Sequence, residues 1–269
     1  MKESPLGQAT VYVETYTPDL LYPIPRSLAR DKIQLSSILP FSGVDIWTGY
    51  ELSWIDKNGK PVISGAEFIF SCASENVVES KSFKLYLNSF NQSSFSDANE
   101  VQKILEKDLS EASGAHVEVR LFPISNFEKK GFFEFSGFLL DDLPVKIDTY
   151  EVDTGFLKTS SEYVEEGLYS HLLKSNCLAT GQPDWGSLYI SYAGKKIERE
   201  SFLQYIISFR KHAGFAEHCV EQIYRDILLH CKPDRLSVYI RYTRRGGLDI
   251  NPFRSNFEET PENIRLGRQ

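Results

Sequence analysis

The sequence predicts an α+β protein made of two related modules, and three observations carry that reading. First, "ESKSFKLYLNSF" from Glu79 lies over "ERESFLQYIISF" from Glu198, with matches at Ser82/Ser201, Phe83/Phe202, Tyr86/Tyr205, Ser89/Ser208 and Phe90/Phe209, every pair 119 positions apart. Second, the apolar residues Val101, Ile104, Leu105 and Leu109 are answered by Val220, Ile223, Tyr224 and Ile227, at spacings that set one apolar stripe along a helix. Third, 14 Tyr and 18 Phe against a single Met favour pleated, half-buried surfaces.

Taken in order, each module reads as strands, a helix on the "SF" segment, a second helix on the apolar-periodic stretch, and further strand. The last strands are "HVEVRLF" from His116 and "LSVYIRY" from Leu236, both alternating apolar and polar. The modules are expected over residues 1–145 and 146–269, with the joint between Leu143 and Glu162. That connection is polar and rich in turn formers, although "VKIDTYEV" within it reads as a strand. The duplication is asymmetric: Cys177 has its counterpart at Asn58, in the turn "DKNGKP", so only the second module carries the thiol.

With 269 residues, 41% of them hydrophobic, the chain buries a core of its own. Its formal charge of −7 argues against a partner such as duplex DNA or an anionic membrane, which reward basic surfaces. "MKESPLGQATVYVETY" has no apolar signal region and nowhere do eighteen apolar residues run together, so a cytoplasmic protein is expected. There Cys72, Cys177, Cys219 and Cys231 stay thiols.

Among candidate chemistries, zinc is suggested by His218-Cys219 and His230-Cys231. These doublets bracket one predicted helix, however, and twelve residues along it span about 18 Å, far beyond the roughly 2 Å of a zinc–ligand bond. A cysteine hydrolase needs a base for Cys177, and His171, His212 and His218 are all available without a hydrolase signature to choose between them. In "KSNCLATGQPDWGS" Cys177 lies in a polar, turn-rich stretch where a thiol is expected to be accessible, seven positions before Asp184. A thiolate attacks an electron-poor carbon, and a nearby carboxylic acid supplies the proton that the attacked heteroatom needs. The plainer alternative makes Asp184 a turn cap after Pro183. "RYTRRGGLDINPFRSN" gathers Arg244, Arg245 and Arg254 around Gly246 and Gly247, a combination that suits phosphate. Lys81 and Lys84 form a second cationic stripe, or a solvated face.

Those segments together resemble the long form of the NADPH-dependent 7-cyano-7-deazaguanine reductases, the nitrile reductases of queuosine biosynthesis. The resemblance runs nearly end to end, through "PRSLARD", "LPFSGVDIWTGYELSW", "ESKSFKLYLNSFNQ", "SHLLKSNCLATGQPDWGS" and "YTRRGGLDINPFRSN". It implies a tunnel fold, two fused modules of antiparallel sheet with helices packed on one face, and a homodimer. Cys177 is implied to form a covalent thioimide with the nitrile carbon and Asp184 to donate the proton, while two NADPH deliver two hydrides without a metal. Substrate contacts are implied at Val78, Glu79, Ser80, Ala216 and Glu217, and cofactor contacts at Ser80, Lys81, Arg245 and Gly246. Either Glu79 or Glu217 suits the ring N–H and exocyclic amine of a guanine-like base. The chain departs from the family at one position: Ala216 stands where the family has histidine in Phe-His-Glu, and His218, about 200° further around a helix, points elsewhere. Two other readings are a tunnel-fold hydrolase of a pterin or purine, and a purine-binding module that lost turnover with that histidine.

Overall fold

A computed structural model describes residues 12–178 and 180–269; the start of the supposed signal-free segment, residues 1–11, lies outside them. In chain order the elements are β1 (Pro23–Pro25), α1 (Ser27–Arg30), β2 (Ser42–Ile55), β3 (Pro61–Ser71), β4 (Asn76–Val78), α2 (Ser80–Ser89), α3 (Ala98–Ser113), β5 (Val117–Phe122), α4 (Ser125–Lys130), β6 (Phe138–Leu139), β7 (Thr159–Ser170), β8 (Lys174–Asn176), β9 (Pro183–Ile197), α5 (Arg199–Ser208), α6 (Ala216–Cys231), β10 (Arg235–Tyr242) and β11 (Leu248–Ser255). The mixed α+β composition agrees with the sequence reading. Residues 143–153, in which "VKIDTYEV" reads as a strand, contain none. The polar residues that alternate there have no neighbouring strand to pair with, and alternation alone does not make a ladder.

The chain divides into two compact units. One comprises the residues up to Ala29, Asp45–Gly131 and Arg244–Asp249; the other comprises Arg30–Val44, Phe132–Thr243 and Ile250–Gln269. In the first, β3 lies between β5 and β2, pairing antiparallel with β5 from Gly65↔Phe122 to Phe70↔Val117. β1 and β4 form a separate two-stranded ribbon, and α3 packs against β5 and β4. In the second, the strand order is β11-β10-β9-β7-β6, with β8 paired to the start of β9 and α6 packed on β10 and β9.

Local chemistry explains the helix boundaries. Glu79 precedes α2 and accepts the Lys81 and Ser82 backbone N–H groups, and Asp97 precedes α3 and accepts that of Glu100. α3 stops at Gly114, whose φ of 76° is left-handed, a conformation glycine adopts without a steric penalty. Val101, Leu105 and Leu109 of α3 and Val220, Ile223, Tyr224 and Ile227 of α6 are buried, as their spacing predicts.

The repeat survives where packing demands it. All ten residues of the five matched pairs are buried. Phe83, Tyr86 and Phe90 make a chain of ring contacts, repeated by Phe202, Tyr205 and Phe209. Within each unit the tyrosine hydroxyl donates to a carboxylate on the next helix, Tyr86 to Asp108 at 2.7 Å and Tyr205 to Asp226 at 2.8 Å. Burial, the largest cause, and the neighbouring carboxylate hold both phenols well above the usual tyrosine range. Asp108 Oδ2 also accepts from Tyr16 at 2.7 Å, whereas Asp226 Oδ2 takes its tyrosine bond from Tyr205. Tyr205→Phe is therefore expected to cost about 1–3 kcal/mol, read from the urea midpoint, and Tyr86→Phe less.

Candidate active site

The second unit arranges the thiol segment as a short antiparallel ladder. Lys174 pairs with Trp185, Ser175 with Asp184 and Asn176 with Pro183. The ladder continues at both ends, where the Cys177 N–H donates to Gln182 O at 2.8 Å and the Gly186 N–H to Leu173 O at 2.9 Å. Side chains alternate across such a ladder, so Leu173, Ser175 and Cys177 share one face with Gln182, Asp184 and Gly186. Leu173, Ser175 and Cys177 are buried on that face, while Trp185 on the other is exposed. Cys177 and Asp184 are diagonal neighbours, a relation that spans roughly 7–8 Å between backbones and brings side chains closer. Asp184 thus belongs to β9. The turn itself is closed by the Gly181 N–H donating to Cys177 O at 3.0 Å, with Gly181 at a φ of 67°.

The expectation of an accessible thiol needs correction, because Cys177 is only 6% exposed. The turn folds back on its own strands, and the stretch after α5 lies alongside: Asn176 bridges Ala213 in parallel, with its N–H donating to His212 O at 2.8 Å. Composition signalled a turn correctly, but the ladder register points the thiol inward.

The first turn of α6 supplies the remaining groups. Ala216 is its first residue and half-buried, and Glu217, the second, is 2% exposed. Cys219 hydrogen-bonds Tyr242 and Ser175 and feels the charges of Asp184 and Glu217; burial is the main reason its thiol is pushed up to about 11. Ser175 Oγ and the Tyr242 hydroxyl are 3.4 Å apart. Asp184 and Glu217 therefore act on one protonated sulfur, and Cys177 shares the ladder face of Asp184 and Ser175. Cys219, Ser175 and Tyr242 were not anticipated from sequence, although Ser175 is recoverable from its two-residue spacing to Cys177. Of the histidines, His171 Nδ1 lies 2.8 Å from Ser187 Oγ, and the His218 ring packs on Phe215 at 5.2 Å. The zinc doublets all lie on α6, and among the described residues no group of three or more His, Cys, Asp or Glu is placed to hold a metal.

The first unit gathers Val78, Glu79, Ser80 and Lys81 where β4 passes into α2. Glu79 is 1% exposed and its two oxygens accept the Lys81 and Ser82 N–H groups, each at 2.8 Å. Its counterpart Glu198 is exposed and makes no side-chain cap bond, so the repeat is asymmetric here as well. Lys81 and Lys84 line a cavity of about 760 Å³ with Glu51, Asn88, Gly246 and Gly247. Gly246 and Gly247 have φ of +62° and +73°, and a Cβ on Gly247 would meet the Glu51 carboxylate at 2.8 Å. The Arg245 N–H donates to Leu248 O at 2.9 Å and closes this turn.

Arg254 corrects the expected arginine cluster. It lies in the second unit, 0% exposed, with Nε and Nη2 on Glu221 Oε1 at 3.1 and 2.9 Å, so a buried carboxylate holds it and not a phosphate. Arg244 lies over the Tyr50 ring, 4.9 Å from its centroid.

Residues 12–121 match the family described as "Nitrile reductase, 7-cyano-7-deazaguanine-reductase N-term", and residues 183–261 match that described as "QueF-like protein". A protein of Burkholderia multivorans (strain ATCC 17616 / 249) named NADPH-dependent 7-cyano-7-deazaguanine reductase is 52% identical over 271 residues, covering 100% of this chain and 99% of that protein.

Proposed function

Because the chain belongs to the family of NADPH-dependent 7-cyano-7-deazaguanine reductases, we propose that Cys177 attacks the nitrile carbon to form a covalent thioimide and that Asp184 supplies the proton. The enzyme is an NADPH-dependent oxidoreductase that reduces the nitrile of 7-cyano-7-deazaguanine to the aminomethyl group, the reduction that serves queuosine biosynthesis. The observation that carries the mechanism is the shared inner face of Cys177 and Asp184, one diagonal step apart on the β8–β9 ladder.

As the S–C bond forms, the nitrile π pair moves to nitrogen, which takes the Asp184 proton and leaves a neutral thioimide. The covalent bond to Cys177 keeps the half-reduced substrate in place between two reductions. Glu217 accepts the ring N–H and exocyclic amine of the base, because a carboxylate offers two acceptor oxygens in one plane. Val78, Glu79, Ser80 and Ala216 complete the proposed substrate-binding set; the Glu79 oxygens keep lone pairs beyond the two that cap α2.

The residues present fit the cofactor. The Gly246–Gly247 turn presents backbone without a Cβ to the cavity, and Lys81 and Lys84 put two ammonium-bearing side chains there beside the Glu51 carboxylate; the two cations and the bare backbone suit a pyrophosphate. Ser80, Lys81, Arg245 and Gly246 would hold NADPH, which supplies hydride when bound. The reaction as proposed uses no metal ion.

Ala216 removes an imidazole from the first turn of α6 while leaving the thiol and the acid in place. Base binding and thioimide formation are therefore expected to persist with slowed reduction. Ala216→His should raise nitrile-dependent NADPH oxidation about 10²-fold, the usual contribution of a positioned acid or base; an unchanged rate removes this role. No helix among the described residues is long and apolar enough to cross a membrane. A cytoplasmic homodimer completes the proposal, and sedimentation of the purified protein tests the dimer. The function itself is tested by stoichiometry: two NADPH oxidised per amine formed, and none without the nitrile.

A further inference from the structure

With Asp184 already protonated before attack, as the thioimide reading above has it, the Cys177 proton needs an acceptor other than Asp184. Of the three histidines that sequence leaves available, one lies beside the thiol. The parallel bridge between Asn176 and Ala213 is made by the Asn176 N–H on His212 O at 2.8 Å and the Gly214 N–H on Asn176 O at 3.2 Å. That pattern sets His212 alongside Ser175 and Gly214 alongside Cys177, with His212 and Gly214 on the same inner face as those two residues. The His212 ring is folded over Gly214: its Nε2 lies 2.9 Å from where a Gly214 Cβ would stand, and the Cys219 sulfur lies 3.7 Å from the same point. The imidazole thus occupies the side-chain space of the residue flanking Cys177, about one strand spacing (~4.8 Å) away. A Phe209 ring edge-on at 5.3 Å steadies it.

We propose that His212 is the base that takes the Cys177 proton, so that Cys177 reacts as half of a thiolate–imidazolium pair. This deepens the thioimide reading and rests on it. The Cys177 S–H bond breaks and its proton passes to His212 Nε2; the sulfur pair forms the bond to carbon; the nitrile π pair takes the Asp184 proton. The product is a neutral thioimide, with imidazolium at His212 and carboxylate at Asp184, and return of the His212 proton to Asp184 restores the starting state. No electrons enter or leave in this step.

Burial lowers the His212 pKa, which keeps the ring neutral and able to accept. The charged groups nearby are arranged compatibly. On the outer side the Lys174 ammonium is held by Arg210 O at 2.9 Å, the Arg210 guanidinium lies over Trp185, and Lys211 reaches Glu151. On the inner side stand Cys177, Asp184, Glu217 and Cys219. His171 is engaged with Ser187, and His218 packs on Phe215.

The test is the pH dependence of Cys177 alkylation by iodoacetamide in the full-length protein, read by peptide mass so that other cysteines do not contribute. Burial pushes the Cys219 and Cys231 thiols up to about 11 and about 12, so their peptides serve as slow internal references. Two variants are compared with the unaltered chain. His212→Gln removes the base, and Gly214→Ala leaves it in place but drives the ring from its position. In both, the pH of half-maximal alkylation is expected to rise by about 1–2, and the rate of adduct formation with 7-cyano-7-deazaguanine to fall about 10²-fold. An unchanged alkylation profile in either variant overturns the proposal, and Gly214→Ala decides the matter if His212→Gln fails to fold. Absence of any nitrile adduct in the unaltered protein would instead overturn the thioimide reading, while the alkylation profiles would still report whether His212 and Cys177 are coupled.

Discussion

Cys177→Ala is expected to reduce nitrile-dependent NADPH oxidation by at least about 10³-fold, the scale on which losing a covalent nucleophile is felt, while 7-cyano-7-deazaguanine still binds. The expectation follows from the division of labour in the second unit. Recognition of the base is assigned to Glu217, held in the first turn of α6 and independent of the thiol. Bond formation is assigned to a sulfur whose neighbours on the ladder, Leu173 and Ser175, offer no second nucleophile of comparable strength. The fold should be indifferent to the change, since the Cys177 contribution to the turn is through its backbone, N–H to Gln182 and carbonyl to Gly181. Calorimetric binding with undetectable turnover is the predicted pair of results; turnover within tenfold of the unaltered enzyme would remove Cys177 from the chemistry.

Asp184→Asn is the second large effect, with an expected fall of about 10²–10⁴-fold in the rate of adduct formation. Asparagine keeps the volume and the backbone pairing with Ser175, so the β8–β9 register persists. It has no acidic proton to give, and the nitrogen of the attacked nitrile would have to draw on water. The variant separates two roles. A merely structural Asp184 predicts lost stability with normal chemistry in whatever folds; a proton donor predicts normal stability with slow chemistry. Stopped reactions analysed by mass, beside a urea titration, distinguish these outcomes.

How much of this was legible in the sequence depends on how local the cause is. The duplication could be read because the residues that match, such as Phe83/Phe202 and Tyr86/Tyr205, are those the cores cannot exchange. The second helix of each half was legible from apolar period alone. The inward aim of Cys177 was not, because it is decided by which residue of β9 stands opposite Ser175, and a slip of one position would reverse it. Arg254 was misread for a related reason: the carboxylate that neutralises it, Glu221, is 33 residues away on another element. The His212 position depends on a single bridge between the end of β8 and the irregular stretch after α5, Asn176 with Ala213, for which sequence has no periodic signal. By contrast, the asymmetry between the modules was visible from Cys177 against Asn58, and the burial of Glu79 against the exposure of Glu198 follows the same division.

The carboxylate pair adds a constraint on the chemistry. Asp184 and Glu217 both act on the Cys219 sulfur, so they occupy one small region, and a nucleobase bound to Glu217 through its N–H groups partly neutralises that region. Cys219 itself remains a thiol, buried and bonded to Tyr242 and Ser175, and contributes shape and a weak donor in place of a second nucleophile.

Intact-mass spectrometry of the protein mixed with 7-cyano-7-deazaguanine in the absence of NADPH tests the central claim most directly. A thioimide retains every atom of the nitrile, so the predicted result is a gain of the whole ligand mass, located on the Cys177 peptide and lost in Cys177→Ala. An unchanged protein mass, or an adduct that persists in Cys177→Ala, would contradict it.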